Sequence, residues 1–176
     1  MIIKYLFNSI NFITFKWIIF IIRYIFNKMS DRMAKEFIFF LKNKSENESG
    51  GPVDRKDMFK WIINFDGPKN SDYEGGKFHV EVIFPENYPE DKPKCKFLNE
   101  ELLHPNIRQD GTVCFGKLKW DKNNTILDII NALYYLLKYP NFGDGYDNKQ
   151  VKDFYEADPE SYHRTVREII KEFSQK

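Results

Sequence analysis

The sequence is poor in the features that mark several common protein classes. It has two cysteines among 176 residues, too few for the disulfide framework of a small secreted domain. Lys and Arg number 27 against 26 Asp and Glu, so the basic excess of nucleic-acid-binding domains is missing. The sequence has no glycine-rich phosphate loop and no Cys/His pair at zinc-site spacing. We therefore expect free thiols in a reducing compartment, and no metal, nucleotide or nucleic acid bound by the chain.

A long uninterrupted apolar run is also missing, although residues 1–28 come close to one. The stretch from Phe12 to Phe26 is almost all apolar, but Lys16 and Arg23 interrupt it. A membrane-spanning helix needs about 20 apolar residues, so the segment is too short and too charged for that assignment. Three interpretations stay open: a targeting segment, an amphipathic membrane tether, or a gene-model artefact with translation starting at Met29.

Residues 29–176 have the pattern of one compact domain. Apolar spacing predicts a first helix over Asp31 to Leu41, followed by a polar turn from Lys42 to Gly51. Alternating polarity then predicts three strands, and helical spacing predicts three further helices, an α+β order. The strands are Asp57 to Asp66, Lys77 to Phe84 and Lys94 to Leu98; the helices are Thr125 to Lys138, a short one around Val151 to Tyr155, and one capped by Asp158.

Cys114 ends an irregular stretch that begins at Leu103 and has neither helical nor strand periodicity. Such segments in compact domains are often functional, and cysteine is the strongest side-chain nucleophile near neutral pH. Asn106, eight residues earlier, could donate its amide to a developing oxyanion. The alternative is that Cys114 is a small buried apolar residue. That assignment is predicted for Cys95, which alternates with lysines in a strand.

A cysteine hydrolase is the rival interpretation of the same stretch. It needs a general base, and nothing marks His104, ten residues before Cys114, as one. A histidine in a rigid His-Pro turn more often caps local backbone. A thiol without an evident base fits an acyl carrier better, because a carrier receives an acyl group that is already activated.

Several motifs follow one another in a characteristic order from Met29 to the C-terminus. His104-Pro105-Asn106 ends eight residues before Cys114. The other motifs are Asp57-Met58-Phe59-Lys60-Trp61, Gly67-Pro68, Tyr73-Glu74-Gly75-Gly76-Lys77-Phe78, Phe84-Pro85, Tyr88-Pro89, Trp120, Pro140-Asn141 and Tyr155…Asp158-Pro159-Glu160…Tyr162. In these features the chain resembles the ubiquitin-conjugating enzymes, the carriers between activating enzyme and ligase. The resemblance implies an α+β fold with an N-terminal helix, an antiparallel four-stranded meander sheet and C-terminal helices.

The resemblance also implies roles for individual residues. Cys114 would form the thioester, and Asn106 would stabilise the oxyanion of aminolysis or hold the active-site loop. His104 and Pro105 would shape that loop. Asp144 stands where the family often has an acidic residue that orients or deprotonates the incoming lysine, whose amine is mostly protonated at neutral pH. Asp147 is a rival for this role, because one residue is inserted before Tyr155.

Docking surfaces follow from the same resemblance. Arg32 and Lys35 match a basic face that binds the activating enzyme, with a solvated helix face as the equal alternative. Glu90 and Asn123 lie on the ligase-facing loops, where charged or polar residues replace the aromatic and small apolar residues of many members. The segment between Cys114 and Trp120 is two residues shorter than in common members, and it carries Gly116 and Lys117 in place of an acidic and an apolar residue.

The implied activity is transfer of ubiquitin, or of a ubiquitin-like protein such as SUMO, from Cys114 to a substrate lysine. The partners would be the modifier, an activating enzyme, a ligase and protein substrates, and the upstream activating enzyme rather than this chain would consume ATP. The alternative is a non-catalytic ubiquitin-binding module of the same fold. The domain suits the cytoplasm and nucleus, unless residues 1–28 direct it to a membrane or an organelle.

Overall fold

The computed structural model describes residues 32–54, 57–113, 120–143, 145 and 147–174. Within these ranges a helix, five strands and three helices follow one another. They are α1 (32–43), β1 (Glu48–Asp54), β2 (Asp57–Asp66), β3 (Lys77–Ile83), β4 (Lys94–Phe97), β5 (Thr112–Val113), α2 (Ile126–Lys138), α3 (Lys149–Ala157) and α4 (Pro159–Phe173). The strands lie in the sheet in chain order, each antiparallel to the next, so the predicted α+β meander fold is confirmed.

Helix α1 packs on the sheet through Trp61 of β2. The rings of Phe37 and Phe40 lie with their centroids 5.6 Å and 6.3 Å from that of Trp61, both edge to face. Met33 and Phe40 are fully buried, and their spacing places them on one side of the helix. The same side carries Glu36, whose carboxylate accepts a hydrogen bond from the first backbone N–H of α2.

The predictions of a turn over Lys42 to Gly51 and of four strands were wrong, because β1 begins at Glu48 and the sheet has five strands. Gly50 and Gly51 suggested a turn, but close packing explains their place in a strand. A Cβ on Gly51 would lie 2.5 Å from the ring of Phe37, and one on Gly50 would lie 2.0 Å from a carbonyl oxygen of β2. The glycines let α1 and β2 approach this edge strand.

Helices α2 and α4 begin where the sequence predicted, and α3 begins two residues before the predicted range. At the start of α2 the backbone N–H and the hydroxyl of Thr125 both donate to the Asp128 carboxylate, each at 2.8 Å. Asp158 caps α4 by accepting from the backbone N–H of Ser161 at 3.0 Å, and Pro159 follows at the first helical position. The buried face of α4 includes Val166, Ile170 and Phe173, as its apolar spacing predicted.

The predicted N-terminal segment, residues 1–28, lies outside the described residues. Among the helices that are described, none combines the length and the apolar character that crossing a membrane requires.

Candidate active site

The His104-Pro105-Asn106 turn lies under the end of α2. The ring of His104 is completely buried. Its Nδ1 accepts the backbone N–H of Asn106 at 3.0 Å, and its Nε2 lies 3.0 Å from the carbonyl oxygen of Leu136. One neutral tautomer, protonated on Nε2, satisfies both bonds. Burial lowers the pKa of His104 to about 3, against an ordinary value of 6.5. His104 therefore fixes the shape of the turn as a neutral ring.

The buried neutral ring makes stability depend on pH. Between pH 6.5 and about 3 the unfolded chain binds a proton on His104 that the folded chain does not bind. Acidification through this window therefore favours unfolding, by up to about 1.4 kcal/mol per pH unit for one group. We expect the free energy of unfolding, measured by urea titration, to fall more steeply between pH 6.5 and 5 in the natural chain than in His104→Asn.

The matched control for this experiment is His79→Gln, because His79 lies exposed on β3. It shows how replacing a histidine outside the core affects the measurement. Equal slopes for His104→Asn and the natural chain would show that His104 is not held neutral by the fold.

Asn106 joins this turn to the loop that follows α2. Its Nδ2 donates to the carbonyl oxygen of Asn141 at 2.8 Å, and its Oδ1 accepts the backbone N–H of Asn141 at 2.8 Å. The side chain is 6% exposed. Beside it, the carbonyl oxygen of Pro105 accepts the backbone N–H groups of Asp147 and Asn148 at 2.8 Å and 2.9 Å. The turn thus holds the loop after α2 at two points, and the role of Asn106 in the reaction stays a prediction.

Aromatic stacking supports the same loop from its other side. Phe142 stacks on Tyr155 with ring centroids 3.6 Å apart and an interplanar angle of 15°. The buried ring of Tyr162 lies perpendicular to that of Phe142, with the two centroids 5.4 Å apart. The loop is therefore anchored to α3 and α4 as well as to Asn106.

Of the two candidate acids, only Asp147 falls within the described residues. It is half-buried, and its Oδ1 lies 3.8 Å from a guanidinium nitrogen of Arg108. Asp144 lies outside the described residues. The choice between the two acids therefore stays a prediction.

Val113, the residue just before Cys114, is the last described residue of this stretch, and strand pairing holds it in place. Val113 belongs to β5, where it is paired with Cys95 of β4 and bridged to Ile107, the residue after Asn106. Cys114 itself, with Gly116 and Lys117, lies outside the described residues. Its assignment as the thioester-forming residue stays a prediction.

Cys95 is confirmed as a core residue. It is 1% exposed, and burial alone raises the pKa of its thiol far above the ordinary value of 9.0. A buried thiol that resists ionisation is a poor nucleophile. Cys95 is therefore unsuited to carry an acyl group.

Arg32 and Lys35, the two basic residues of α1, differ in exposure: Arg32 is partly buried and Lys35 is exposed. Arg32 lies 3.3 Å from the buried carboxylate of Glu36, and its guanidinium lies 5.2 Å from the ring centroid of Tyr88. Lys35 is exposed. The sequence did not identify Glu36 as a partner, although its four-residue spacing from Arg32 is the usual signal for a helical ion pair. Their docking role for an activating enzyme stays a prediction.

The two predicted ligase-facing loops lie side by side. Glu90 and Asn123 are both exposed. The indole N–H of Trp120 donates to the carbonyl oxygen of Pro89 at 2.8 Å, and the hydroxyl of Tyr88 donates to the carbonyl oxygen of Asn124 at 3.3 Å. The structure thus forms one surface from two loops that are distant in sequence.

Across the described part of the chain, no group of His, Cys, Asp and Glu side chains has the arrangement of a metal site.

Comparison with known proteins agrees with this architecture. The family model of the ubiquitin-conjugating enzymes matches residues 32–170. Among solved structures, the chain is similar to the E2 domain of a Toxoplasma gondii ubiquitin conjugating enzyme, with a TM-score of 0.73 and 26% sequence identity. That match covers 81% of this chain and 97% of the Toxoplasma chain. The chain belongs to the ubiquitin-conjugating enzyme family.

Proposed function

We propose that the chain accepts ubiquitin, or a ubiquitin-like protein, as a thioester on Cys114 and transfers it to a substrate lysine. In charging, the Cys114 sulfur attacks the thioester carbonyl on the activating enzyme, whose cysteine leaves as a thiolate. In transfer, the lysine amine attacks the new thioester, loses a proton to a base or water, and releases the Cys114 thiolate.

The observation that carries this proposal is the bond pair between Asn106 and the backbone of Asn141. It places a buried amide, and the loop that it holds, beside the segment that leads through Val113 to Cys114. Together with family membership, this arrangement supports an active enzyme over a binding module, which would have no use for a prearranged amide or a reactive thiol.

The test is a charging reaction with the full chain, activating enzyme, ATP and ubiquitin, separated on a non-reducing gel. We expect an adduct that disappears when a thiol reductant is added, because a thioester exchanges with thiols. An adduct with SUMO and none with ubiquitin would show that SUMO is the modifier, and the proposed mechanism would stay the same. Binding of ubiquitin without an adduct from any modifier would contradict the proposal and favour the binding module.

A further inference from the structure

The outward side of α1 is unusually apolar for a surface that no other part of the described chain covers. Ile38, Phe39 and Leu41 are 51%, 43% and 49% exposed. Lys35 and Lys42 lie among them on the same side of the helix. These five residues are called the outer α1 face below. Contiguous apolar patches with a charged border usually mark an interaction surface.

Rotation of α1 cannot bury this face, because the opposite side is fixed. Met33 and Phe40 fill the core, and Phe37 packs edge to face on Trp61. Glu36 is bonded to the start of α2 at 2.5 Å. As far as the described residues go, the outer α1 face therefore stays uncovered.

The chain that precedes α1 limits where that partner can be. Five residues, 27–31, lie between Phe26, the end of the apolar stretch, and Arg32 in α1, so the two residues are six steps apart along the chain. A chain of six residues spans at most about 22 Å. Any surface that binds Phe26, at the end of the stretch, is therefore within about 22 Å of the start of α1.

The charges decide which partner fits. Lys16 and Arg23 interrupt the apolar stretch and Lys28 follows it, so the segment is basic, as the outer α1 face is. Two basic surfaces repel, which disfavours packing of the segment onto α1. Both surfaces complement the anionic headgroups of a phospholipid bilayer, where apolar side chains enter the boundary region and lysines reach the headgroups.

We infer that the outer α1 face lies against an anionic lipid bilayer, together with the basic apolar segment that precedes it. This contact fixes the side of the domain that faces the membrane. The face includes Lys35, which is also expected to dock the activating enzyme, so the bilayer and that enzyme would compete for this residue. The thiol chemistry at Cys114 does not enter the inference, since a binding module of the same fold would have the same face.

A fluorescent probe on the face tests the contact in the full chain. Phe39→Cys and Leu98→Cys are each made with Cys114→Ala and labelled with NBD, whose emission rises and shifts to the blue in an apolar environment. The native residues at both positions are 43% exposed, and Leu98 directly follows β4 and is no part of α1. With vesicles of phosphatidylcholine and phosphatidylserine, we expect the change at position 39 and none at position 98.

A second pair of variants measures the contribution of the face to binding. The variant Ile38→Ser/Leu41→Ser should weaken binding of the full chain to the same vesicles by about tenfold or more, because two large apolar side chains are lost. The matched variant Ile83→Ser/Leu98→Ser removes similar exposed side chains from the sheet and should change the affinity by less than about twofold. Far-ultraviolet circular dichroism confirms that each variant is folded.

Three results would overturn the inference. The full chain could fail to bind the vesicles. It could bind while the probe at position 39 gives no response, which would show that the outer α1 face does not contact the bilayer. The probe could respond to the activating enzyme and not to vesicles, which would make the face a protein-docking surface. The charging reaction, run without lipid, reports separately on the proposed enzymatic activity.

Discussion

Cys114→Ala is expected to abolish the modifier adduct, and Cys95→Ala is expected to keep it. Cys95 is 1% exposed, and burial raises the pKa of its thiol far above the ordinary value, so this thiol resists ionisation. Cys114 is the residue that follows β5 in the sequence and is the expected nucleophile. Only a thiolate attacks the incoming thioester at a useful rate. The measurement is the initial rate of adduct formation on non-reducing gels at equal concentrations of folded protein.

Cys95→Ala is the matched control, because it removes the only other thiol in the chain. It should lower the free energy of unfolding by about 1 kcal/mol, the usual cost of a small core truncation, and leave the charging rate within about twofold. If the adduct persisted in Cys114→Ala, a residue other than Cys114 would have to form it. Loss of the adduct in folded Cys95→Ala would show that the buried thiol takes part.

The second large effect is expected at Asn106. Asn106→Ala removes both bonds to the backbone of Asn141 and the amide that could donate to an oxyanion. We expect transfer from the charged chain to free lysine to slow by about 100-fold, the usual cost of removing one such donor. The free energy of unfolding should fall by about 2 kcal/mol, since each hydrogen bond contributes about 1 kcal/mol. Charging should continue, because the thiol is unchanged.

Asn141→Ala is the matched control for this prediction. Its backbone N–H and C=O, which bond to Asn106, are kept, and its side chain accepts the backbone N–H of Gly143, two residues on, at 3.0 Å. Transfer should therefore slow by only a few-fold, an effect of about 1 kcal/mol or less. Equal losses in the two variants would show that local loop structure matters and the Asn106 amide does not.

The sequence predicted the elements whose signals are local. Strand β2 occupies the predicted range Asp57 to Asp66, and α2 and α4 begin after the predicted caps Thr125 and Asp158. Alternation, helical spacing and capping residues all act within a few positions. Strand β1 was missed because its glycines serve packing against α1 and β2, which a local pattern does not contain.

The sequence predicted which residues belong to the site, and it did not predict the contacts that hold them. Asn106 was identified from its place before Cys114, but its partner is the backbone of Asn141, 35 residues away. A backbone partner leaves no signature in side-chain patterns. Arg32 shows the same limit, because its inward contacts with Glu36 and Tyr88 depend on how α1 packs.

The most direct test of the account is transfer from the charged natural chain to free lysine after the activating enzyme has been stopped. The account predicts that the thioester disappears faster as lysine concentration rises, and that a lysine–modifier product forms in equal amount. A thioester that decays at one rate with or without lysine would contradict the account, because the chain would then accept a modifier without passing it to an amine.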